Sequence, residues 1–263
     1  MWLGNILNST FPYEGVTQLG NNISDLPFLP IYSLPFYLLG NVGLQNIINI
    51  IIIILVLWKF TNNRNQLNFA LMSLSISIPL FIFLFTHSDH ITVAALALLG
   101  IYLLNEKRFI YGIFIFSLLI ASKAYIWLFI PTTLYYIYKN GNKSDLKKSI
   151  LLYVLIPAVF IIPFILWNPV YFFTIAPIGV DAAHLNYYFP FSEYIITLGV
   201  IIISLLSYYR TNNLYITFLI TYLIFSLFLF SRVMLIDTLA IIMVGILYDK
   251  KIKKSTDLSI VNN

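Results

Sequence analysis

KNGNKSDLKK, residues 139–148, separates the apolar runs 124–138 and 149–167, and the side of a membrane on which it lies decides the fold. Lys139, Lys143, Lys147 and Lys148 crowd this short loop, and loops rich in Lys and Arg stay on the cytoplasmic side of membrane proteins. Fusing 108–138 into a single helix would move the loop across, so 108–122 and 124–138 are read as separate crossings. Working outward, runs at 42–59, 67–86, 90–104, 108–122, 124–138, 149–167, 194–209, 214–231 and 233–248 predict an all-α polytopic bundle with about nine spans. The third to fifth runs are shorter than the roughly 20 helical residues of a full crossing. Tilt, local thinning of the bilayer or re-entrant segments would accommodate them.

Composition agrees with this reading. With 60% hydrophobic and 10% charged residues and a mean hydropathy of +0.90, the 263-residue chain has too little polar surface to cover a water-soluble globule. The net charge of +5 points to acidic partners, but the basic residues sit beside apolar runs, where they meet membrane lipid. Nucleic-acid binding is therefore set aside. The chain contains no cysteine, which excludes disulfides and thiolate chemistry.

Alternation of the chain across the membrane sorts the charges. Lys59, Arg64, Lys107, Arg108, the four loop lysines, Arg210, Lys250, Lys251, Lys253 and Lys254 fall on one side. The other side holds Lys123 and Arg232 with Glu14, Asp25, Asp89, Asp181, Glu193 and Asp237. The expected arrangement is one integral domain, 1–263, with the N-terminus outside and the C-terminus in the cytoplasm. It comprises an external loop (1–41), a first group of spans (42–167), an external apolar loop (168–193), three last spans (194–248) and a basic tail (249–263). This suits a multi-pass protein of a prokaryotic plasma membrane or of the endoplasmic reticulum. Residues 1–33 show no signal-peptide pattern. Either the short N-terminal segment follows the first span across, or a helix precedes it.

On the outer side, the segment NPVYFFTIAPIGVDAAHLNYYFPF, from Asn168, is too apolar and aromatic for a solvated loop. It reads as a structured cap at headgroup level. Other short patterns stand nearby: Pro12-Tyr13, FLPIYSLP at 28–35, Asp89 opening an apolar helix that closes on Asn105-Glu106-Lys107-Arg108, and SKAYIWLFIP at 122–131.

In order and topology these patterns, over residues 12–138, resemble the GT-C glycosyltransferases of the mannosyltransferase-like kind. That family takes a sugar from a polyprenyl-phosphate carrier on the outer or lumenal face. The resemblance implies that Lys123, at the outer end of a span, neutralises the carrier phosphate, and that Asp89 lies near the sugar. The family's acidic residue, the expected general base, precedes the Pro-Tyr pair and follows a first membrane helix. This chain has neither at that place, and Glu14 and Asp25 are the acids left in the loop. The implied function is transfer of a hexose, such as mannose, from a polyprenyl-phosphate-linked sugar to an external acceptor. Such chemistry needs a carboxylate to take the acceptor proton and a cation to hold the departing phosphate. A divalent cation is the one cofactor left open, and no metal site is assigned.

Each candidate also has a plainer reading. Lys123 could simply snorkel to the interface, Arg232 could anchor there, and Asp237 could pair with Arg232. His87, Asp89 and His90 are metal ligands by type, yet in a short turn they also suit solvated caps, or contacts to substrate. Asp181 and His184, three residues apart, would share one face of a helical turn and hydrogen-bond locally or touch substrate. P-loop, GxGxxG and HExxH patterns are absent. Two further classes remain: a non-catalytic membrane partner subunit or degenerate relative, and a transporter. The transporter is disfavoured, because the charges fall at the ends of predicted spans rather than at mid-depth.

Overall fold

The computed structural model describes residues 2–15, 22–60, 68, 90–177 and 191–228. Among these residues the chain is helical, without strands. Ten α-helices are described: α1 (Trp2–Leu7), α2 (Phe28–Leu38), α3 (Gly43–Phe60), α4 (His90–Asn105), α5 (Phe109–Ile120), α6 (Ile130–Asn140), α7 (Lys143–Trp167), α8 (Pro169–Thr174), α9 (Ser192–Thr211) and α10 (Leu214–Phe228). A 3-10 helix, Ala124–Phe129, leads into α6. The run 67–86, apart from Asn68, and the run 233–248 lie outside the described residues.

Among the described residues two helices, α7 and α9, are long and apolar enough to cross a membrane. α2 and α3 would pass the same test as one span, but they are bent by 115° at their junction. The described residues of α4, α5 and α10 number 16, 12 and 15. Along α7, the exposed side chains Leu151, Val154, Leu155, Val159, Ile162 and Leu166 form an apolar face between Lys148 and Trp167. At a rise of roughly 1.5 Å per residue that face is about 29 Å tall, the thickness of a bilayer's hydrocarbon core. Pro157 and Pro163 lie within α7 without ending it.

The helix ends are set by local chemistry. Asn142 accepts from the Asp145 backbone N–H (2.8 Å) while its own N–H donates to the Asp145 carboxylate (3.2 Å), a reciprocal cap that starts α7 inside the basic loop. Lys107 and Asn212 take the left-handed conformation, φ +58° and +49°, where the chain turns after α4 and α9. α4 and α5 pack closely, because Gly100 and Gly112 present no side chain at their contact. A Cβ at Gly112 would lie 2.8 Å from Leu104 and 3.1 Å from the Gly100 carbonyl oxygen.

The segment 1–41, expected as an external loop, carries two helices. α2 holds Pro30 in its first turn, where a missing N–H costs nothing, and Pro35 further along. These prolines disguise the helix in the sequence.

The ends of the bundle differ in kind. At one end Lys139 Nζ donates to Asn212 Oδ1 (2.6 Å), Asn140 to the Tyr208 hydroxyl (3.3 Å), and the Tyr136 hydroxyl to Asn105 Oδ1 (3.3 Å). The turns that carry Lys107 and Arg108, the four loop lysines, and Arg210 therefore meet. Exposed Tyr111, Tyr138 and Tyr209 stand in the adjoining helical turns. At the other end Trp2, Phe11 and Tyr13 pack on the last turns of α7 and on α8. The Trp2 and Phe164 rings lie 5.4 Å apart, and those of Phe11 and Trp167, and of Tyr13 and Phe172, 5.7 Å.

Candidate functional site

The capped end holds the site. α5 ends in a turn at Ala121–Lys123 that is tied by Ser122 Oγ to the Leu118 carbonyl (2.8 Å) and by the Lys123 N–H to the Leu119 carbonyl (3.1 Å). Onto this turn the incoming loop is docked by two backbone bonds: the Leu26 N–H to the Ser122 carbonyl (2.8 Å) and the Phe28 N–H to the Ala121 carbonyl (3.0 Å). The registry sets Asp25 opposite Lys123, and the two side chains form an ion pair.

The partners differ in access. The Lys123 side chain is 10% exposed and that of Asp25 30% exposed. A lysine side chain this buried is stabilised by an anionic neighbour. The Asp25 main chain is held from a third direction by the Tyr13 hydroxyl, which donates to its carbonyl (2.9 Å). Burial pushes the Tyr13 phenol far above its usual range, and the Asp25 carboxylate adds to the shift against the opposing effect of Lys123. Tyr13 is thus a permanent donor. Beside it Glu14 is exposed, with its N–H on the Phe11 carbonyl (3.2 Å).

Of the residues expected at the site, the structure joins Asp25 to Lys123 and leaves Glu14 at the surface. His90 is the first residue of α4. His87, Asp89, Asp181, His184 and Arg232 lie outside the described residues. Among the described residues, no three His, Asp or Glu side chains come close enough to hold a metal.

A second polar centre went unread in the sequence. Gln45 and Asn49, one turn apart on α3, both donate to Thr92 Oγ1 on α4, at 2.8 and 2.6 Å. The Tyr32 hydroxyl on α2 donates to Asn49 Oδ1 (3.0 Å). Gln45, only 4% exposed, keeps its carbonyl oxygen without a partner among the described residues. Three carboxamides at positions 45, 46 and 49, ahead of an Ile-rich run, were the available signal. They fall within the predicted span 42–59, whose hydrophobicity masks them.

A small cleft between α4, the 3-10 helix and α10 is lined by Val93, Ala94, Ala97, Ile126, Phe129, Phe218 and Tyr222. Its lining offers hydrocarbon contact and little polar chemistry. Comparison with protein-family models, with curated proteins and with solved structures found no match.

Proposed function

We propose that this chain is a multi-pass membrane glycosyltransferase of the GT-C kind, which moves a hexose from a polyprenyl-phosphate carrier to an acceptor hydroxyl outside the cytoplasm. The observation that carries the reading is the meeting of Asp25 and Lys123, 98 residues apart in sequence, under an aromatic cap at the end of the bundle away from the basic loops. A carboxylate and a cation are the two charges the reaction requires.

In the proposed reaction the acceptor oxygen attacks the anomeric carbon while its proton passes to the Asp25 carboxylate. The bond between the anomeric carbon and the phosphate oxygen breaks, and its electron pair leaves with the phosphate. The phosphodiester begins with one negative charge and departs as a phosphomonoester with two. Contact with Lys123 would strengthen as that charge grows, which is the condition for lowering a barrier.

The nine crossings, the outward N-terminus and the cytoplasmic C-terminus belong to the same proposal. Their support is the gathering of basic turns at one end, the tyrosines beside them, and the shared starting level of α3 and α4 at Gln45, Asn49 and Thr92. If α3 and α4 both cross from that level, a return crossing must lie between them. The run 67–86, outside the described residues except at Asn68, is the segment available for it.

The Asp25–Lys123 pair also favours a second reading, a non-catalytic partner subunit in which the pair only clasps the N-terminal segment to the bundle. The experiment that separates them is sugar transfer from synthetic polyprenyl-phosphate donors by membranes carrying wild type, Lys123→Ala or Asp25→Asn. Enzyme activity predicts transfer by wild type and its loss in both variants. Wild-type inactivity with every common hexose donor would favour the clasp, and full activity in both variants would remove the site.

A further inference from the structure

We infer that Asp25 serves Lys123 as a resting counterion, and that an incoming phosphate diester takes its place, so that arrival of the anion is what releases the carboxylate for use. This rests on the reading above, in which the two residues serve opposite ends of one reaction. In the structure they occupy each other.

Three observations carry the inference. The Lys123 side chain is largely buried, so an anion beside its ammonium is more readily exchanged for another anion than given up to water. Asp25 is the more accessible member, so an anion approaching from the surface meets the carboxylate side of the pair. The main chain on both sides is pinned independently of the ion pair, by Leu26 and Phe28 on the α5 turn, Tyr13 on the Asp25 carbonyl, and the Lys123 N–H on Leu119. Rotation of the short Asp25 side chain is the movement that exchange asks for, and the loop can stay in place while it occurs.

The exchange conserves charge, since one monoanion replaces another at the ammonium. A carboxylate deprived of its cation binds a proton more tightly. Asp25 paired with Lys123 is a poor base, and Asp25 displaced by phosphate is a better one. After transfer the carboxylate carries the acceptor's proton, the phosphate product leaves, the proton passes to water, and the pair closes again. Donor binding and base activation are one event in this scheme.

The test measures binding of a soluble, monoanionic isoprenyl methyl phosphate diester to the purified full chain in detergent, by calorimetry. In wild type the competent state is a minor fraction, and apparent affinity is reduced by that fraction; Asp25→Asn removes the competitor and should tighten binding by about tenfold or more. Lys123→Gln should abolish it. Equal or weaker binding by Asp25→Asn would overturn the inference. Should Asp25→Asn fail to fold, the wild type labelled with carboxyl-¹³C aspartate gives the answer by infrared difference spectroscopy. Saturating diester should shift one carboxylate band, and the shift should be missing in Lys123→Gln. Saturable binding without any such shift would overturn the inference. Anion exchange without sugar transfer would count against the catalytic reading alone, and transfer without an affinity gain in Asp25→Asn against the exchange alone.

Discussion

Lys139, at the end of α6, donates to Asn212, in the turn between α9 and α10, across 2.6 Å. One end of α6 is thereby fixed beside the turn that follows Arg210. The other end runs back through the 3-10 helix to Lys123. A single stretch, 123–139, thus connects the ion pair under the aromatic cap to the basic end of the bundle.

The two charges of the ion pair should be unequal in cost. Asp25→Asn takes a negative charge from beside a Lys123 side chain that is 10% exposed, whereas Lys123→Met takes the positive charge from beside an Asp25 side chain that is 30% exposed. Loss of one partner of a buried pair costs about 3–5 kcal/mol, and Asp25→Asn should lie nearer the top of that range than Lys123→Met. The double variant should recover much of the loss. Denaturation in mixed micelles would show the order, and a double variant less stable than either single one would refute the burial argument.

Tyr13 predicts a pH dependence. Its folded-state pKa is raised by burial, so the native state holds the phenolic proton more tightly than the unfolded chain does. The resulting stability is intact below about pH 10, the unfolded phenol value, and falls above it by about 1.4 kcal/mol per pH unit. Tyr13→Phe removes that slope, along with the hydrogen bond to the Asp25 carbonyl. Between pH 8 and 11.5 the variant should start less stable, and above pH 10 the wild-type curve should fall more steeply and close the gap. Parallel curves would mean that Tyr13 ionises as readily folded as unfolded.

Thr92→Val keeps the shape of α4 but deprives both Gln45 and Asn49 of their shared acceptor. Interhelical hydrogen bonds in membranes contribute about 0.6–2 kcal/mol each. A loss of about 1–3 kcal/mol is expected for the pair, with Thr92→Ser close to wild type. A neutral Thr92→Val would show that the carboxamides find other partners.

Gly112→Leu should separate α4 from α5, since even a Cβ at this position collides with Leu104 and approaches the backbone of Gly100. Overpacking typically costs about 1–3 kcal/mol. Gly199→Leu on α9, with open space around its Cβ position, should cost far less. Thermal unfolding of the two variants side by side would check the contrast.

Much of the helical framework was legible because apolar runs in this chain are long and interrupted by charge. The predicted run 42–59 becomes Gly43–Phe60 and 194–209 becomes Ser192–Thr211. α7 begins six residues before the run 149–167, because the cap at Asn142 draws the charged KSDLKK stretch into the helix. The run 124–138 divides into a 3-10 helix and α6 at Phe129–Ile130. α2 escaped notice because Pro30 and Pro35 punctuate it. At the site, Lys123 stood out as a lone cation in an apolar run. Its pairing with Asp25 did not, because that contact depends on how the loop docks on the turn after α5, and no local pattern encodes such a docking.

Sidedness underlies the whole account, and the absence of native cysteine makes it directly measurable. Glu14 and Lys143 are both exposed, one at the capped end and one in the basic loop. Single Glu14→Cys and Lys143→Cys variants would be treated in intact cells, or in sealed right-side-out vesicles, with a membrane-impermeant maleimide. The account predicts labelling at position 14 without permeabilisation and at position 143 only after it. Labelling of both from the same compartment would contradict it.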